Sequence, residues 1–337
     1  MEANKMEETL LNIEGLKTYF FTEAGVVKAV DGISFDLKKG ESLGLVGESG
    51  SGKTVTALSV LRIVPKPGKI VGGKIEFAGE NLLEKTEKEM QKIRGNKIAI
   101  IFQDPSSSLN PLFTIETQLA DILIAHKRLS KTECRNRIIE LLHLVGIPDP
   151  TTRMREYPHQ FSGGMKQRVA IARALALEPT LLFADEPTTN LDVTIQAQVL
   201  ELLNDLKKKM GMSLILITHD MGIVAKMTTR VVVLYAGNVC EIAKTIDIYE
   251  HPRHPYTEAL LAAVPRLDMR KTLRVIPGNI PNLIEPPSGC RFHPRCKYAQ
   301  EKCAVDIPVL EEIEPGHFVA CHEWQKIKLK GERANIV

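Results

Sequence analysis

The sequence predicts an α/β fold, a mostly parallel sheet sandwiched by helices, followed by a small irregular region rich in cysteine and proline. Three observations predict it. Apolar, β-branched segments alternate with segments of helical spacing up to about residue 250; two helical segments follow one another without a strand between about residues 104 and 160; and ten of the 19 prolines fall between Pro252 and Pro315. At 337 residues the chain exceeds the roughly 250–300 residues that one core supports, so a boundary near 250 divides residues 1–250 from residues 251–337.

The strands read, in order, as VKAVDGISFDL, ESLGLVG, KIAIIFQ, LLFADE, SLILITHD and VVVLYAG. Apolar residues at nearly every position imply burial on both faces, which suits parallel strands covered by helices. IETQLADILIAHKRL and KTECRNRIIELLHLVGI make residues 104–160 a helical insertion. After Trp324 the basic end QKIKLKGERANIV reads as solvated.

Composition narrows the function. With 44% apolar and 25% charged residues, disorder is excluded. The longest apolar run, Val231 to Ala236, is far short of the roughly 18 residues that span a bilayer, and MEANKMEETL has no signal-peptide character, so neither a membrane span nor secretion is expected. A net charge of +3 gives no reason to expect a nucleic-acid partner. Six cysteines in an unsecreted chain are thiols or metal ligands, and Cys290, Cys296, Cys303 and Cys321 fall within 32 residues.

The strand ESLGLV runs into Gly47-Glu48-Ser49-Gly50-Ser51-Gly52-Lys53-Thr54 and then a helical segment that includes Thr56, which is G-x-x-x-x-G-K-[ST] in its required setting. Backbone N–H groups of such a loop, with the helix dipole, cradle phosphates. Lys53 adds a point charge and Thr54 a hydroxyl for Mg²⁺. Downstream, the buried strand LLFA ends in Asp185-Glu186. Alternation sends the two carboxylates to opposite faces, so Asp185 can serve the Mg²⁺ shell and Glu186 a water.

Residues Phe161-Ser162-Gly163-Gly164-Met165 open a long helix about 20 residues before that strand. Here the chain resembles the ATP-binding cassette ATPases, which are P-loop NTPases with a mixed sheet, flanking helices and a helical subdomain. Gln103 matches the Q-loop of the family, Thr189-Asn190-Leu191-Asp192 the D-loop and His219 the switch histidine. The resemblance implies ATP and Mg²⁺ as ligands. Two cassettes then meet head to tail, each nucleotide lying between one chain's phosphate loop and the Ser162-Gly163-Gly164 segment of the other. It implies that Glu186 orients the attacking water, that His219 contacts the γ-phosphate, and that Gln103 completes the metal shell. An aromatic platform for adenine falls in LKTYFF, at Phe20 or at Tyr19. Met165, Phe161 and Asn190 depart from the usual pattern without removing a phosphate ligand.

The segment HPRHPYTEALL and the run Cys290-Arg-Phe-His-Pro-Arg-Cys296 resemble the C-terminal extension of the dipeptide and oligopeptide importers, and GESGSGKTVTALSVLRIVP their D-type ATPase subunit. This implies a heterodimer with a second, F-type ATPase, two membrane-spanning permease subunits, an extracytoplasmic peptide-binding protein, and a place on the cytoplasmic face of the cell membrane. Dipeptides, longer oligopeptides and nickel chelates remain open as cargo. The spacing C-x5-C-x6-C-x17-C lacks the tight knuckle usual for zinc and favours a [4Fe-4S] cluster, with Zn²⁺ as the alternative and His293, His317 or His322 as substitute ligands. His251 and His254 read as surface turn residues, and Cys134 and Cys240 as buried small residues.

Overall fold

The computed structural model describes residues 8–127, 129–263 and 276–332 and divides into two compact units, Met1–Glu84 with Leu216–Val337, and Lys85–Ile215. The first unit opens with β1 (Thr9–Thr22), β2 (Gly25–Lys38), β3 (Ser42–Val46), α1 (Lys53–Val60), β4 (Gly68–Phe77) and β5 (Glu80–Asn81). Strands β2, β1, β4 and β5, in that order, form an antiparallel sheet. On β1, Leu11, Ile13, Leu16 and Thr18 are buried while Glu14 and Lys17 are exposed; on β4 only Ile75 and Phe77 are buried. Such one-sided strands carry glycines and charges between their core residues. They show no continuous apolar run, so the sequence reading passes over β1 and β4 and takes VKAVDGISFDL for a parallel strand when it is the antiparallel β2.

The second unit holds α2 (Glu87–Ile93), β6 (Ile98–Ile101), α3 (Pro105–Ser108), α4 (Ile115–His126), α5 (Lys131–Leu144), α6 (Pro150–Arg153), α7 (Gly163–Leu175), β7 (Leu181–Asp185) and α8 (Val193–Met210). Helices α2 and α5 start in capping boxes, Thr86 with Glu89 and Ser130 with Glu133, and Thr114 caps α4. Cys134, Ile138, Leu141 and Leu142, spaced as one face of α5, are its buried residues, and α5 packs on α4 and α7. β6 and β7 run parallel, from Ile98 opposite Leu181 to Ile101 opposite Ala184.

Strand β8 (Ser213–Thr218) returns the chain to the first unit, which continues as α9 (Met221–Met227), β9 (Arg230–Tyr235), β10 (Asn238–Lys244), α10 (Thr245–Glu250), α11 (Pro255–Ala262), α12 (Glu301–Val305), β11 (Glu311–Glu314) and β12 (His317–Val319). β9 is parallel to β3 and antiparallel to β10; β12 adds to β10, and β11 to β12. The sheet is therefore mixed. The proline-rich region also joins the core, since Phe292 and Val319 are buried and Phe292 packs among Tyr235 and Tyr256. The basic end is held as far as residue 332, where Lys330 donates its backbone N–H to Glu258 and Glu332 to the Tyr249 carbonyl; residues 333–337 lie outside the described residues. Among the described residues no helix is long and apolar enough to cross a membrane.

Candidate functional site

Strand β3 is buried at all five positions, and it delivers the chain into the loop 47–52 without slack. Gly47 has φ +151°, and a Cβ there would stand 2.1 Å from the Leu234 carbonyl oxygen; Gly52 has φ +102°, and a Cβ would stand 2.5 Å from the Ala29 oxygen. Both positions exclude any side chain. Lys53 folds back over the loop, donating to the carbonyls of Gly47 at 2.7 Å and Glu48 at 2.9 Å. Ser51 is buried beside it and its carbonyl accepts from Gly237, while Ser49 and Gly50 are on the exposed crown. Thr54 is exposed, as a hydroxyl offered to a hydrated cation must be. Thr56 is buried and donates to the Gly52 carbonyl at 2.9 Å, so it braces the helix start instead of facing the open side of the loop.

The same unit carries the two aromatic candidates and His219. Tyr19 donates to Asp31 at 2.6 Å, and burial followed by that bond raises its hydroxyl to about 12. Phe20 is half-buried, opposite Gly68 on β4. His219 follows β8 and is exposed, next to Asp220, which caps α9.

The second unit brings Gln103 and Glu186 together: the amide Nε2 donates to the Glu186 carboxylate at 2.9 Å, and the Thr189 hydroxyl donates to the same oxygen at 3.0 Å. Asp185 ends β7 and is buried, whereas Glu186 turns out of the strand at φ +44°, a conformation rare for a side chain of this size. Asn190 sits at φ +66°, which the amide side chain tolerates better than most and which accounts for its place in the D-loop. Ser162 caps α7, its hydroxyl accepting from Met165, and Ser162 and Gly163 are exposed. The first turn of that helix, with its unsatisfied N–H groups, is open to an anion.

Cys290, Cys296, Cys303 and Cys321 line one cavity in the first unit, together with His293 and His322. Among the described residues, no group of three or more histidine, cysteine or acidic side chains is arranged to hold a metal ion. Burial pushes the thiols of Cys290 and Cys321 up to about 11 and about 12, and raises Cys296 for the same first reason. His317 does not belong there: it is buried against Glu241, 2.7 Å from Nε2. His254 is also misread as a surface residue; it is buried at the N-terminus of α11, where Nδ1 accepts the Tyr256 N–H at 3.0 Å. Sequence reasoning misses Arg291, Phe292 and Arg295, because their partners Asp31, Tyr235 and Glu48 lie far away along the chain.

A family model described as ABC transporter matches residues 30–189, and one described as the C-terminal region of oligopeptide/dipeptide transporters matches residues 240–303. The probable peptide ABC transporter ATP-binding protein y4tR of Sinorhizobium fredii is 50% identical over 324 residues, covering 95% of this chain and 97% of the relative. The oligopeptide transport ATP-binding protein AppD of Bacillus subtilis is 48% identical, covering 94% and 98%. A solved dimeric ATP-binding cassette, bound to ADP and phosphate after hydrolysis, superposes with a TM-score of 0.63 at 28% identity over 70% of this chain and 99% of its own. A glycine-lined phosphate loop, a cassette likeness and a tail shared along nearly its whole length with peptide-transport subunits lead to one conclusion: the chain belongs to the ABC transporter ATPases that carry the oligopeptide/dipeptide transporter C-terminal region.

Proposed function

We propose that the protein hydrolyses ATP to power the import of dipeptides or oligopeptides through partner membrane subunits. The observation that carries this is the near full-length likeness to subunits named for dipeptide and oligopeptide transport, which includes both the phosphate loop and the tail. The partners are a second ATPase of the F-type, two permease subunits and an extracytoplasmic peptide-binding protein, which place this chain on the cytoplasmic face of the cell membrane. The exposed N-terminus of α7 suits a γ-phosphate presented by the partner ATPase. Phe20 is the adenine platform, a reading supported by the commitment of the Tyr19 hydroxyl to Asp31.

Lys53 and the loop N–H groups hold the β- and γ-phosphates; Thr54, Asp185 and Gln103 are the residues suited to Mg²⁺, which would neutralise phosphate charge. Glu186 orients a water for in-line attack on the γ-phosphorus as the bond to the β-phosphate oxygen breaks, giving ADP and phosphate. Its hydrogen bonds from Gln103 and Thr189 fix the carboxylate for that task. His219 supplies a further contact to the γ-phosphate. In the assembled transporter, Glu186→Gln should lower steady-state ATP hydrolysis by about 100-fold or more while ATP still binds. Hydrolysis at the wild-type rate would remove Glu186 from this role.

The four tail cysteines hold a [4Fe-4S] cluster. Zinc would draw its ligands to one centre at roughly 2.3 Å. What supports the cluster reading is four thiols lining a common cavity at the wide spacing C-x5-C-x6-C-x17-C. Bound thiolates would release the protons that burial now holds on Cys290, Cys296 and Cys321. Protein purified without oxygen should contain about four irons and four sulfides per chain; one zinc and no colour would replace the cluster by the ion.

A further inference from the structure

We propose that Arg295, in the tail, is a positioning residue for the phosphate loop, which makes the segment between Cys290 and Cys296 a built part of the nucleotide site. The guanidinium grips both oxygens of the Glu48 carboxylate, Nη1 to Oε2 at 2.7 Å and Nη2 to Oε1 at 3.1 Å. Glu48 is the second residue of the loop. Its backbone N–H is also held, donating to the Tyr256 hydroxyl at 2.8 Å, and its carbonyl accepts from Lys53. Three groups of one loop residue are thus fixed, two of them by residues beyond position 250.

The clamp has its own foundation. The Arg295 side chain is 5% exposed, and its remaining donors reach the Tyr235 hydroxyl at 3.2 Å, the Pro277 carbonyl at 2.8 Å and the Ile276 carbonyl at 3.4 Å. Tyr235 and Tyr256 meet edge to face at 4.6 Å, and Phe292 packs against both, at 5.1 and 5.3 Å. At the other end of the segment, Arg291 bonds Asp31 and the Ala236 carbonyl, and Asp31 accepts from Tyr19. Three of the five residues between the two cysteines, Arg291, Phe292 and Arg295, are therefore anchors on the phosphate-loop unit.

The physical effect is preorganisation. A glycine-rich loop that must order its N–H groups around phosphates loses conformational entropy on binding, and a loop already held loses less. A bidentate arginine fixes direction as well as distance, which lysine cannot do. Without Arg295, Glu48 would be left as an uncompensated carboxylate in the loop that receives polyphosphate, and this opposes binding in the same direction.

This rests on the reading of residues 47–54 as the ATP site, and ATP binding by the full-length chain that Lys53→Ala abolishes secures that reading first. Arg295→Ala should then raise the ATP Kd at least tenfold. In the assembled transporter it should raise KM for ATP with kcat changed less than twofold, and Arg295→Lys should recover part of the loss. A merely structural arginine would instead lower kcat through a smaller active fraction and leave KM alone. Glu48→Ala removes the same clamp from the loop side with the tail sequence intact, so it decides the matter even if Arg295→Ala loosens the tail. Its Kd should rise several-fold, and the double variant should bind no worse than the weaker single. Wild-type Kd in Glu48→Ala, or strictly additive effects, would overturn the proposal.

Discussion

Glu241 lies in the middle of β10 with no exposed surface, a costly place for a carboxylate. It accepts from the backbone N–H of Arg253 at 2.7 Å and of His254 at 2.9 Å, and lies 2.7 Å from His317 Nε2. One side chain thereby ties the turn before α11 and the strand β12 to the sheet. Replacing it by alanine strands two N–H groups and an imidazole in the interior. Glu241→Ala should lower unfolding stability by about 3 kcal/mol or more, and Glu241→Gln by less, as read from denaturant midpoints. None of this is legible in the sequence. A single glutamate within NVCEIAK gives no sign that three partners, 12 to 76 residues away, will close around it.

At the scale of elements, legibility follows burial. β3 and β7 are buried at every position and stand out as apolar runs, with the loop from Gly47 and the pair Asp185-Glu186 at their C-terminal ends. β1 and β4 alternate, and β12 has three residues, so their pairing depends on neighbours the sequence does not name. α11 shows the same limit, because its cap is a histidine instead of the expected small polar residue. Burial lowers the His254 imidazole to about 3, well under the roughly 6.5 of an unfolded chain. The unfolded state therefore binds the extra proton first, and the stability due to His254 is complete above about pH 6.5 and declines as pH falls toward 3, by up to about 1.4 kcal/mol per unit. His254→Asn can cap the helix without titrating. The advantage of the wild type over this variant, measured by thermal unfolding, should shrink between pH 7 and pH 5; a constant difference would mean that His254 does not titrate across folding.

For the whole molecule, the order of motifs along the chain reveals the family. What stays hidden is where the tail goes. Arg291, Phe292 and Arg295 look like filler between cysteines until Asp31, Tyr235 and Glu48 are seen opposite them. Opposite charges at sequence separations of 260 and 247 residues leave no local pattern.

That separation also has a consequence for synthesis. Glu48 leaves the ribosome 247 residues ahead of Arg295, and loops of this length close slowly compared with local contacts. A nascent chain stopped before Cys290 already carries every nucleotide motif, from the loop at Gly47 to His219, but lacks the arginine that grips the Glu48 carboxylate. On the role proposed for Arg295, a growing polypeptide acquires its full hold on nucleotide only once the segment between Cys290 and Cys296 has emerged and folded back onto the loop.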